Sequence, residues 1–241
     1  MFSNNRSGTA ALGIFLGIGV AAGGFFISQT LYNAKVAVNT AEAKGLAERR
    51  VKSDLANWQI VFNVTGTKRA EIPQLYLQAE ENQNAIISLL QENGFTEDEI
   101  EIGIIDYLQQ EFRDESQKLV DQKHRLVGSI GVETSKVDLV AKVRANVNKL
   151  IAQGMDLENR PPAYRFTKLN EIKPDMLKEA TRNARIAANE FAENAGVHVG
   201  SIKNALQGSF FVRDAGEEYG DTGKIEKDVR VVTTITFYLT E

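Results

Sequence analysis

The chain opens on an uninterrupted apolar run and then breaks into short periodic segments. Thr9 to Leu31 carry no charge. As a helix those residues would span about 34 Å, enough for a hydrocarbon core of about 30 Å. Farther on, Trp58, Ile60, Phe62 and Val64 alternate with their neighbours, a period of two that predicts a strand ended by Gly66. Leu75, Ala79, Ile86, Leu89 and Leu90 recur at helical spacing between Pro73 and Gly94, predicting a helix over 71–93. Ile100, Ile102 and Ile104 begin a second strand running to about Asp114, and a third covers 123–133. The charged stretch 112–122 joins the two as a long hairpin. Val140, Val143, Val147, Leu150 and Ile151 mark a second helix, with a capping box at Ser135 and Asp138 and a closing Gly154. Tyr164, Phe166 and Lys168 start a fourth strand.

The order to this point is β-α-β-β-α-β, that of a split βαβ unit. An alanine-rich helix over 174–195 follows, then a strand over 201–212 and a polar loop over 213–227. The last strand places Val229, Val231, Thr233, Ile235, Phe237 and Leu239 on one face. The fold class read from this pattern is α+β: an N-terminal transmembrane helix, then a domain of about six strands and three helices. The boundaries are a tail over 1–8, an anchor over 9–31, a juxtamembrane helix or linker over 32–50, and the α+β domain over 51–241.

The apolar run is longer than the core of a signal peptide, and the small-x-small site at Ala41, Glu42 and Ala43 lies well past it, so the segment reads as an uncleaved anchor. Gly13 with Gly17, and Gly19 with Gly23, repeat a small residue every fourth position. That spacing lets helix backbones approach closely in lipid and marks these four glycines as candidate membrane-helix packing positions. Ala180, Ala184, Ala188 and Ala192 form a second small-residue face, a candidate for packing on a sheet or between copies. Lys35, Lys44, Arg49 and Arg50 follow the anchor and only Arg6 precedes it, so a literal charge count puts the domain in the cytoplasm.

Composition removes several functions. With no cysteine there is no disulfide, thiolate metal site or cysteine nucleophile, and with two histidines there is no multi-histidine metal centre. A net charge of −4 gives no footprint for nucleic acid. His124, between Lys123 and Arg125, reads as a basic surface position, and His198 as the flank of the alanine helix. Glu97, Asp98, Glu99 and Glu101 read as a solvated turn, and Glu217, Glu218 and Asp221 as a loose loop. No nucleophile elbow, phosphate loop or His-Glu-x-x-His is present. The expectation is no catalytic residue, no metal site and no cofactor.

The segment KEATRNARIAANEFAENAGVHVGSI resembles the hallmark of the SIMPL domain: alanines through a helix, a glycine at its end, and a second glycine before a strand. GLAERRVKSDLANWQIVFNVTG resembles that family's opening, LVGSIGVET its third strand, SKVDLVAKVRANVNKLIAQG the following helix, and DVRVVTTITFYL its closing strand. Ile186 stands where the family often has lysine, and Ser129 and Ile130 where it usually has an aromatic and an arginine. The resemblance implies an α+β fold, no enzymatic activity and, in bacterial members, an envelope or periplasmic location. It also implies homo-oligomerisation into ring- or channel-like assemblies and a part in oxidative or envelope stress tolerance. The expected partners are the membrane and further copies of the chain. The alternative is a monomeric or dimeric envelope module binding a peptide, lipid or protein, with loop 213–227 folding around its ligand. Local charge and family resemblance disagree on orientation; the reading adopted is a single-pass inner-membrane protein with a periplasmic domain.

Overall fold

A computed structural model describes residues 6–35 and 39–240, with side chains described from 11 to 32 and from 39 onward. Helix α1 runs Arg6–Lys35. The chain then divides into two compact units. One comprises residues 1–47, 177–209 and 231–241, the other 48–176 and 210–230.

The larger unit is built on strand β2 (Leu55–Gly66) and strand β5 (Leu119–Thr134), paired antiparallel over eleven positions from Ala56–Thr134 to Gly66–His124. Helix α2 (Ile72–Glu92) follows β2, and helix α3 (Val137–Ala152) follows β5. Strands β3 (Ile100–Ile102) and β4 (Asp106–Arg113) pair with β5, while β6 (Asp156–Asn159) and β7 (Ala163–Arg165) pair with β2. The sheet order β6-β2-β5-β3, antiparallel throughout, is the pairing of a split βαβ fold. Alternation in β2 and β5 sends Trp58, Ile60, Phe62, Leu126, Ile130 and Val132 into one core with Leu75, Ala79, Ile86 and Leu90 of α2 and Val140, Val143 and Val147 of α3. Gly128 belongs to that face because a Cβ there would strike the Phe62 ring at 2.2 Å.

The smaller unit takes residues 40–47 of β1 (Thr40–Lys52), β8 (His198–Gln207) and residues 231–240 of β10 (Glu226–Thr240), in the sheet order β1-β10-β8. Ala184 and Ala188 of helix α4 (Leu169–Ala195) pack with Ala43, Ile235 and Phe237. In the larger unit, strand β9 (Phe211–Asp214) pairs with residues 227–230 of β10.

Several elements differ from the sequence pattern. Residues 40–50, within the 32–50 span expected as juxtamembrane helix or linker, belong to β1. Its inward positions include Ala43 and Ala47, too small to print a hydrophobic alternation. The single strand expected over 100–114 is two, because Gly103 leaves the ladder with its N–H on Ser129 O at 2.9 Å. The hairpin connection shrinks to the turn 114–118, where the Asp114 carboxylate accepts the Ser116 and Lys118 N–H groups at 2.9 Å. The Ser135–Asp138 capping box does not form: Thr134 Oγ1 takes the Lys136 N–H, and Asp138 pairs with Lys52. Helix α4 begins at Leu169, with Pro174 inside its early turns. The fifth strand divides into β8 and β9, where Gly208 donates its N–H to Val232 O.

Candidate functional site: a bare helix and open strand edges

Helix α1 contains a span, Ala11–Tyr32, long and apolar enough to cross a membrane, and none of it is buried. Beside Gly13, Gly17, Gly19 and Gly23 there is open space: a Cβ on any of them would meet nothing within 4 Å. Phe15, Val20, Phe25 and Phe26 of the same helix are largely exposed. The helix is thus apolar and bare along its length, as a single-pass membrane anchor or a signal sequence would be.

The alanine face is occupied by the chain itself. Ala180, Ala184 and Ala188 have no exposed surface, and Ala192 almost none. At Gly45 of β1 the fit is so close that a Cβ would overlap Ala180 O and Ala184 N. Asn183 donates its side-chain N–H to Leu46 O at 2.7 Å, holding the same contact from the side.

His124 is 1% exposed, not the surface residue expected. It shares the inward phase of Leu126 and Ile130, whereas Lys123 and Arg125 point the other way. Its Nδ1 lies 2.7 Å from the Tyr107 hydroxyl, while Nε2 is buried without a partner. His198 opens β8 and is exposed. The acidic turn at 97–99 is a short helical turn closed by Thr96 and Glu99. Burial pushes the Glu99 carboxyl up, but hydrogen bonds from Lys136, Thr134 and Thr96 outweigh it and bring its pKa from 4.5 to about 2. Among the described residues no three His, Cys, Asp or Glu side chains stand close enough to hold a metal.

Loop 215–225 is fixed by carboxylates that sequence reasoning missed. Asp214 accepts the Gly223 and Lys224 N–H groups at 2.7 and 3.1 Å and an ion pair from Lys227, which is wholly buried. Burial raises the Asp214 carboxyl, and the Lys227 ammonium and the two amides pull it below its usual 3.8. Asp228 accepts both Arg50 donors at 2.8 and 3.0 Å and the Gly216 N–H at 3.0 Å. These bonds tie the loop to its own chain. Lys227 was legible, since it sits in phase with Val229 and Val231 on the inward face of β10.

The larger unit also carries open clefts and an open strand edge. A cleft of about 400 Å³ is lined by the polar side chains of Asn63, Thr65, Gln78, Asn82, Gln153 and Asp156 beside the apolar Val64, Leu150 and Met155. Strand β4 pairs only with β5 and is exposed along its whole length.

These features define a mixed α+β chain with an apolar N-terminal helix, a split βαβ core and, among the described residues, no cluster of three His, Cys, Asp or Glu side chains that could hold a metal. The family SIMPL, described as a protein of unknown function (DUF541), matches residues 42–237, and the chain belongs to it. No curated protein matches the chain.

Proposed function

We propose that the chain is a non-enzymatic, membrane-anchored SIMPL subunit that self-assembles, as a ring or cage, on the periplasmic face of a bacterial inner membrane, in support of envelope or oxidative stress tolerance. The observation that carries this reading is the bare α1 helix, whose four glycines have open space beside them. In lipid there is no hydrophobic force between helices, so close packing at small residues is what drives association. The charge rule weighs little against a periplasmic domain. Lys44, Arg49 and Arg50 belong to strand β1 of a folded domain, and Arg50 is paired with Asp228. Long domains translocate largely regardless of charge, and this one runs to about 200 residues. The test is cross-linking of the full chain in mild detergent, comparing wild type with Gly13→Leu/Gly17→Leu. Wild type should give a ladder that the variant shortens. A wild-type monomer at high concentration would sink the reading.

The polar cleft favours a second reading, an envelope module binding a peptide or another polar ligand. Side-chain amides at Gln78, Asn82 and Gln153 suit hydrogen bonding to peptide groups. Unchanged amide exchange at 78–82 and 150–156 on adding envelope extract would count against it.

A further inference from the structure

Strand β4 is an edge strand of unusual content. All eight of its residues are exposed, yet it carries Tyr107, Leu108 and Phe112, 43%, 52% and 39% exposed. It has neither proline nor lysine, two of the residues that commonly blunt an edge. Such an edge is a template for another strand.

We infer that β4 pairs antiparallel with β4 of a second copy about a two-fold axis through Gln110. The inference rests on the self-assembly reading and names its contact. A two-fold axis normal to the sheet keeps each face on its own side. Every residue then meets the one equally far beyond Gln110 in the second copy. Gln109 faces Glu111 of the second copy, Leu108 faces Phe112, and Tyr107 faces Arg113, each pairing occurring twice.

Two of these pairings are directly complementary. Leu108 and Phe112 cover one another's apolar surface. Arg113, already paired with Glu111 of its own strand, lies beside the Tyr107 ring. The Gln109 amide already donates to Glu111 within one chain at 3.2 Å, so the two side chains suit each other. Neighbouring registers fail. An axis on Gln109 sets Tyr107 against Glu111 and Asp106 against Phe112. An axis on Glu111 sets two carboxylates face to face. The pairing ends beyond Tyr107 and Arg113, where Asp106 would meet Asp114, whose carboxylate is already held in the hairpin turn. This isologous contact makes a dimer. A larger assembly needs a second, different contact.

The chain has no cysteine, so single-cysteine variants report cleanly. Only a residue on the axis lies opposite itself, within the Cα separation of about 4.4–6.8 Å that a disulfide spans. The experiment oxidises full-length Gln110→Cys in mild detergent, with Ser116→Cys in the hairpin turn as control and wild-type size measured alongside. Gln110→Cys should form covalent dimer about tenfold more readily than the control, as the short span requires. Equal cross-linking of the two variants with wild type still oligomeric would overturn the β4 pairing alone. A monomeric wild type would overturn the pairing together with the self-assembly reading.

Discussion

A Cβ placed on Gly45 would lie 1.8 Å from the carbonyl oxygen of Ala180 and 2.5 Å from the amide nitrogen of Ala184. Strand β1 and the second half of α4 therefore touch backbone to backbone, which only glycine opposite alanine permits. Gly45→Ala must push the two apart and should cost about 1–3 kcal/mol or more, the usual penalty for an overpacked core. Thermal unfolding in detergent reads it. An unchanged midpoint would mean that the contact is looser than described.

The Lys227–Asp214 pair makes a sharper prediction. Asp214→Asn removes the counter-charge of a fully buried ammonium while keeping the acceptor for Gly223. Breaking one side of a buried pair costs about 3–5 kcal/mol. The same variant should speed proteolysis of loop 215–225, since that carboxylate ties the loop to β10. A loop as resistant as wild type would show that Arg50 and Asp228 suffice to hold it.

Acid should weaken the fold through Glu99. Its folded pKa is depressed from 4.5 to about 2, so its contribution is present above pH 4.5 and lost as pH falls toward 2. Asp214, also depressed, adds to the loss as pH drops through its folded value, starting below 3.8. Melting temperature measured against pH should fall over this window. Glu99→Gln should flatten the fall, and a profile parallel to wild type would contradict the assignment.

Tyr107→Phe should leave both ring nitrogens of buried His124 without a partner, because Nε2 already lacks one. A buried group deprived of its hydrogen bond costs about 1–3 kcal/mol. Urea unfolding of the full chain measures this. No change would place water or a shifted side chain on Nδ1.

The split βαβ order was legible because its strands alternate large apolar residues, as Trp58 to Val64 do, and its helices carry a regular stripe, as Val140 to Leu150 do. Strand β1 was not legible, since Ala43, Gly45 and Ala47 bury themselves by being small and leave no hydropathy trace. His124 was misread from its immediate neighbours. Counting by twos puts it with Leu126 and Ile130, and the same count puts Lys227 with Val229. The partners of these two residues, Tyr107 and Asp214, lie 17 and 13 positions away. Their pairing follows from register and turn geometry, which residue spacing does not encode.

Self-assembly through a retained anchor is the central claim, and native mass spectrometry of the full chain, released from bacterial membranes in mild detergent, tests it in one spectrum. The account predicts a particle heavier than a dimer, in whole multiples of the 26.6 kDa chain with α1 still attached. A single 26.6 kDa species, or one shortened by loss of α1, would contradict it.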